Sequence, residues 1–139
     1  MYFLRTEDSF DAAHFLKGYE GKCSNIHGHR WKVIVEVKGE DLKQEGPKRG
    51  MVVDFSDLKD SLYKICDNMD HSLIIEENSL KPATMEALRD EDFVIIEVPF
   101  RPTAENFAKY FFEKIKKDGY VVNRVEVYET PNNFAAYEE

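Results

Sequence analysis

The chain has 139 residues, 42% hydrophobic and 33% charged, with 10 Phe, 7 Tyr and a net charge of −8. That supplies apolar mass for one core and little room for a second, so a single domain over 1–139 is expected. An acidic chain without a basic stripe argues against nucleic acid as a partner, and no stretch approaches the roughly 18 apolar residues of a membrane span.

Met1 to Asp8 has no basic region followed by an apolar run, which predicts a cytoplasmic protein. Tyr2 to Phe15 reads as a strand with His14 near its end, and Gly18 to Asn25 as a loop. From His29 to Lys38, Trp31, Val33, Val35 and Val37 recur at period two, the pattern of a half-buried strand. A charged segment with Pro47 and flanking glycines predicts a turn to a short strand, Met51-Val52-Val53, and so a hairpin. Asp54 or Ser56 can cap a helix with Leu58, Leu62, Ile65, Cys66 and Met69 inward, ending near Asp70. Residues 72–92 read as a loop with a short helix from Thr84 to Leu88, followed by a strand from Phe93 to Pro99. Pro102-Thr103 opens a second amphipathic helix with Phe107, Ala108, Phe111, Phe112 and Ile115 inward, closed by Asp118-Gly119. Val121 to Thr130 alternates as a last strand, and the remainder trails off. The order predicts an α+β fold: an antiparallel sheet with two helices packed on one face.

Three of the four histidines fall at His14, His27 and His29. Two imidazoles at i and i+2 on extended backbone share a face, and a third from a neighbouring strand end completes a three-nitrogen zinc site with one open position. Cys23, four residues before His27 in a polar loop, is a fourth ligand, a catalytic thiol beside the ion, or a spectator; spacing does not choose among these. Cys66 falls on a helix's apolar face and reads as a small buried hydrophobe.

Asp70-His71 closes the first helix; it is either a proton relay or a helix end where imidazolium suits the dipole. Glu129 ends the last strand as either a solvated carboxylate or a bidentate anchor for a guanidine-like heterocycle. Thr103 is explained by capping alone.

Together Phe10-Asp11-Ala12-Ala13-His14, Lys22-Cys23-Ser24-Asn25-Ile26-His27-Gly28-His29, Gly50-Met51-Val52-Val53-Asp54-Phe55, Asp70-His71, Pro102-Thr103-Ala104-Glu105-Asn106 and Glu129-Thr130-Pro131 resemble the 6-pyruvoyltetrahydropterin and 6-carboxytetrahydropterin synthase family. The resemblance implies a tunnelling fold. Its subunits close an oligomeric barrel, as a hexamer of stacked trimers or a tetramer, with active sites between them. It implies zinc on His14, His27 and His29, Cys23 as base, Asp70 and His71 as a relay reaching across a subunit interface, Glu129 as pterin anchor and Thr103 as a further pterin contact. The three residues between Cys23 and His27 resemble the bacterial carboxy-forming branch of queuosine biosynthesis, which acts on a small pterin triphosphate. Arg30 stands where relatives often have a small polar residue.

Overall fold

In the computed structural model, which describes residues 1–139, the chain runs β1 (Tyr2–His14), β2 (His27–Gly39), α1 (Phe55–Met69), β3 (Ser72–Glu76), α2 (Pro82–Asp90), β4 (Ile95–Val98), α3 (Ala104–Lys117), β5 (Val122–Thr130) and β6 (Asn133–Glu138). A 3-10 turn at Lys22–Ser24 lies in the loop between β1 and β2. All six strands join one sheet, in the order β4-β3-β1-β2-β5-β6.

The long β1–β2 hairpin organises the rest. Its antiparallel register runs unbroken from Tyr2↔Gly39 to His14↔His27. Alternation then puts Phe10, Ala12 and His14 of β1 on the same buried face as Trp31, Val33, Val35 and Val37 of β2. On that face α1 contributes Leu58, Leu62, Cys66 and Met69, and α3 contributes Phe107, Ala108, Phe111, Phe112 and Ile115, all within one cluster. Each such aliphatic or aromatic side chain adds about 1.5–3 kcal/mol on full burial, so this layer dominates stability. The helix starts are set locally. The Asp54 carboxylate accepts from Ser56 N at 2.8 Å, and the Thr103 hydroxyl from Asn106 N at 3.3 Å.

The two long helices on one face are as expected, but the sheet is mixed: β1–β3 and β3–β4 pair in parallel. Residues 72–92 are not mainly loop. They hold β3, whose Ile74 and Ile75 are both buried, so no alternation marks it. They also hold a third helix, α2, of which Thr84 to Leu88 is the middle. Met51-Val52-Val53 forms no strand; Val53 packs against the core from a loop. That loop lies so close that a Cβ on Gly39, at the end of β2, would collide with the Val52 side chain, so the close approach favours glycine there. The C-terminal tail is strand β6, paired with β5.

Candidate metal centre and adjoining relay

The hairpin register builds the centre. His14 and His27 are directly opposed across β1 and β2, and His29 follows two residues along the same face. Glu129 arrives from β5. The β5–β6 pairing shifts between Tyr128↔Phe134 and Thr130↔Asn133, so Glu129 is the extra residue of a β-bulge. Bulges re-aim a side chain beside a site, and here the carboxylate is carried toward the imidazoles. One donor atom from each of His14, His27, His29 and Glu129 lies within 4.8 Å of the others.

The tautomers reveal what this cluster can hold. His14 Nδ1 lies 2.7 Å from the Pro102 carbonyl oxygen and His27 Nδ1 lies 2.7 Å from that of Asn25. A carbonyl only accepts, so both Nδ1 atoms carry the proton, and in the neutral form each ring presents a lone pair at Nε2. Those two Nε2 atoms face each other at 3.1 Å. His29 Nε2 is buried without a hydrogen-bond partner, although a Glu129 oxygen stands 3.0 Å away. The pair is near enough for a hydrogen bond yet misaligned for one, so we read it as two atoms facing a common centre. Lone pairs and a carboxylate converging in this way call for a cation. Burial holds both His14 and His29 below the usual imidazole range, despite Glu129 alongside, which makes protonation a poor way to supply that charge. Three nitrogens and an oxygen in this arrangement suit a zinc-like ion.

The rings are held from behind. Trp31, fully buried, meets His14 and His29 edge-on at 4.9 Å and 5.3 Å, and Phe107 of α3 backs it at 4.9 Å.

Cys23 lies in the Lys22–Ser24 turn, half-buried, with its carbonyl accepting from Leu16 N at 2.8 Å just past His14. The ligand-atom cluster contains Glu129 and not Cys23, which weighs against the thiol as fourth ligand. Thr103 caps α3 as expected, directly after Pro102, the residue that fixes the His14 tautomer. Cys66 is buried, and that burial pushes its thiol up, as a structural cysteine requires.

Asp70 and His71 form a second unit on the other face of the sheet. His71 Nδ1 donates to Asp70 Oδ2 at 2.7 Å, and Asp70 Oδ1 accepts from Asp11 N at 2.7 Å. The main chain at His71 is left-handed, with φ 57°, and its N–H donates to Asp11 O at 2.6 Å. A non-glycine residue in that region costs about 1–2 kcal/mol, so the neighbouring bonds hold it there. The Asp11 N–H first, then His71, keeps the Asp70 carboxyl below the usual carboxylate range. Arg30 Nε and Nη2 each donate to Asp11 at 3.0 Å. His71, 79% exposed, opens onto a cavity of about 720 Å³ that His29 also lines, with Ile26, Phe93 and Val94 exposed at its rim. The Asp70–His71 pair and residue His29 thus border one space, while the His29 Nε2 atom that faces the cluster is itself buried.

Four participants escaped the sequence reading. The Pro102 and Asn25 carbonyls leave no side-chain signal. Asp11 and Arg30 do leave one: once His14 is set opposite His27, the register puts Asp11 opposite Arg30. Among cations that could meet a phosphate group, Lys48 is engaged with Asp57 and Asp54, whereas Arg101 donates to Lys17 O at 2.8 Å near the Cys23 loop.

The family model described as 6-pyruvoyl tetrahydropterin synthase matches residues 3–139. A Haemophilus influenzae protein named 6-carboxy-5,6,7,8-tetrahydropterin synthase is 40% identical, the alignment covering 100% of both chains. A Synechocystis protein of the same name is 34% identical over 99% of this chain and 93% of its own. Among solved structures, an uncharacterized Wolinella succinogenes protein superposes with a TM-score of 0.81 at 24% identity, covering 99% of this chain and 98% of that one, a likeness of fold alone. The Caenorhabditis elegans 6-pyruvoyl tetrahydropterin synthase gives 0.70 at 28% identity, over 99% of this chain and 95% of its own.

Proposed function

Because the chain belongs to the 6-pyruvoyl tetrahydropterin synthase family, we propose that it is a zinc-dependent lyase. It converts 7,8-dihydroneopterin triphosphate and water to 6-carboxy-5,6,7,8-tetrahydropterin, acetaldehyde and triphosphate, a step toward queuosine. The single observation that carries the metal part is the pair of bare Nε2 lone pairs of His14 and His27 facing each other at 3.1 Å beside the unpartnered His29 Nε2. The carboxy branch draws its support from the names of the relatives above 30% identity.

His14, His27 and His29 would hold the ion, which when bound supplies Lewis-acid polarisation of the substrate's side-chain hydroxyls. The Glu129 carboxylate anchors the pterin by accepting its two parallel N–H groups, leaving the side chain to lie toward the imidazoles. Cys23, in the loop pinned to the end of β1, takes a side-chain proton as thiolate. Asp70 fixes the proton on His71 Nδ1, so His71 Nε2 is free to pass protons in the cavity. Thr103 adds a contact at the pterin edge, and Lys17, Lys22 and Arg101 around the Cys23 loop meet the triphosphate.

The sheet ends in two open edges, β4 and β6, and the cavity rim is apolar. Both features support a homo-oligomer that completes the site between subunits. No helix is long and apolar enough to cross a membrane.

Incubation with 7,8-dihydroneopterin triphosphate and mass analysis of the products tests the reaction. The 6-carboxy product with acetaldehyde is expected. A 6-pyruvoyl product without acetaldehyde, the activity named for the family and for the nematode structure, would replace this reading with its neighbour.

A further inference from the structure

We propose that the Glu129 carboxylate is an exchangeable fourth metal ligand, bound through Oε1 while no substrate is present and released to the pterin when one arrives. This rests on the reading of His14, His27 and His29 as metal ligands. Tetrahedral zinc with bonds of about 2.0–2.1 Å sets its donor atoms roughly 3.3–3.4 Å apart. Three of the six separations are of that size, 3.1 Å from His14 Nε2 to His27 Nε2, 3.0 Å from His29 Nε2 to Glu129 Oε1 and 3.5 Å from His14 Nε2 to the same oxygen, and all four donors lie within 4.8 Å of one another. The His29 contact falls short of hydrogen-bond geometry, and burial disfavours the imidazolium that an ion pair with Glu129 would need, so a shared cation accounts for the oxygen's place better than the two side chains alone do.

The same carboxylate cannot serve both partners at once. Bidentate capture of a guanidine-like edge needs both oxygens and their full charge, whereas ligation takes Oε1 and aims the group at the imidazoles. Glu129 is equipped to change sides: its side chain is 31% exposed, and as the bulge residue it has no register partner on β6. Recognition of the pterin ring and opening of a coordination position thereby become one event. Polyols and sugar phosphates offer hydroxyls but no guanidine edge, so the fourth position stays closed to them. The carboxylate is a selector as well as an anchor.

The protein loaded with Co²⁺ reports this in its visible absorption, with zinc affinity measured in parallel by chelator competition. Glu129→Gln, isosteric and without charge, is expected to change the cobalt spectrum and to weaken zinc binding by at least about the 10-fold that loss of even a supporting partner causes. Unsubstituted pterin, which has the guanidine edge and no side-chain hydroxyls, is expected to shift the wild-type spectrum and leave that of Glu129→Gln unchanged. Glycerol is expected to leave the wild-type spectrum unchanged. Matching melting curves for the metal-free proteins establish that the variant is folded, and pterin fluorescence reports occupancy. Identical spectra and affinities for wild type and Glu129→Gln overturn the inference, as does pterin that fails to bind or binds without a spectral change. In all of those cases the three-histidine site stands. A wild-type protein that takes up neither Co²⁺ nor Zn²⁺ overturns the metal reading itself, and this inference with it.

Discussion

Phe107→Ala perturbs the centre without touching a ligand. Phe107 is fully buried and meets Trp31 at 4.9 Å, Phe100 at 6.1 Å and Phe10 at 6.3 Å, each edge-on. Its removal leaves a cavity walled by a helix on one side and the central strands on the other, elements that collapse poorly. The cost should therefore fall in the upper part of the roughly 3–5 kcal/mol range for Phe→Ala. At about 3–4 °C per kcal/mol for a chain of this size, the melting temperature drops by about 12–20 °C. Trp31 then loses its support, and the walls of His14 and His29 with it, so zinc affinity falls too, by an expected factor of about 10. Urea unfolding of the metal-free protein at fixed concentration gives the first quantity, and chelator competition on the folded variant gives the second. A loss under about 1 kcal/mol, or an unaltered zinc affinity, would refute the view that this aromatic column holds the site.

Cys23→Ala should keep stoichiometric zinc and the wild-type melting curve while turnover falls by about 10²- to 10⁴-fold, the usual contribution of a positioned base; loss of zinc would instead make the thiol a ligand. Asp70→Asn tests the relay through pH. Because the Asp70 carboxyl lies below its usual range, its stabilisation is fully present above about pH 3.9 and is lost as pH falls through the lower folded value. The difference in melting temperature between wild type and variant should therefore be largest near neutrality and vanish in strong acid, and a pH-independent difference sinks the assignment. Chelation should lower the melting temperature, since zinc at 100 times its dissociation constant adds about 2.7 kcal/mol, or about 8–11 °C here. Equal melting with zinc and with chelator would mean that no metal is held.

How legible each element was in the sequence followed from its solvent exposure. β2 has one dry face and one only partly covered face bearing Lys32 and Glu36, so Trp31, Val33, Val35 and Val37 announced it, and α1 and α3 showed their apolar stripes against solvent-facing polar residues. β3 lies inside the sheet between β4 and β1 and is covered on both faces at Ile74 and Ile75, which erases the period-two signal. β6 fails in the opposite sense: only Ala135 and Tyr137 turn inward on this edge strand, and the apolar Phe134 and Ala136 on its other face are exposed, so the segment shows no clean alternation and reads as tail. The histidines were visible as a set because the hairpin brings them together by local register. Glu129 was visible as a residue but not as a neighbour of the imidazoles, because its place depends on a bulge, and bulges have no simple sequence mark. The carbonyls of Asn25 and Pro102 belong to the main chain and could not have been found by side-chain chemistry at all.

The hairpin carries all three imidazoles within its own two strands, whereas the Pro102 carbonyl and the Glu129 carboxylate come from far later in the chain. Synthesis from the N-terminus thus delivers three nitrogens first, on a unit that is marginal in isolation and whose His14 ring is still free to take either tautomer. Only when the chain through Pro102 has docked does His14 commit its proton, and only when β5 joins β2 does the carboxylate reach the cluster. The imidazole set is thus local to one hairpin, whereas the carbonyl and the carboxylate that complete the cluster are supplied only by long-range docking.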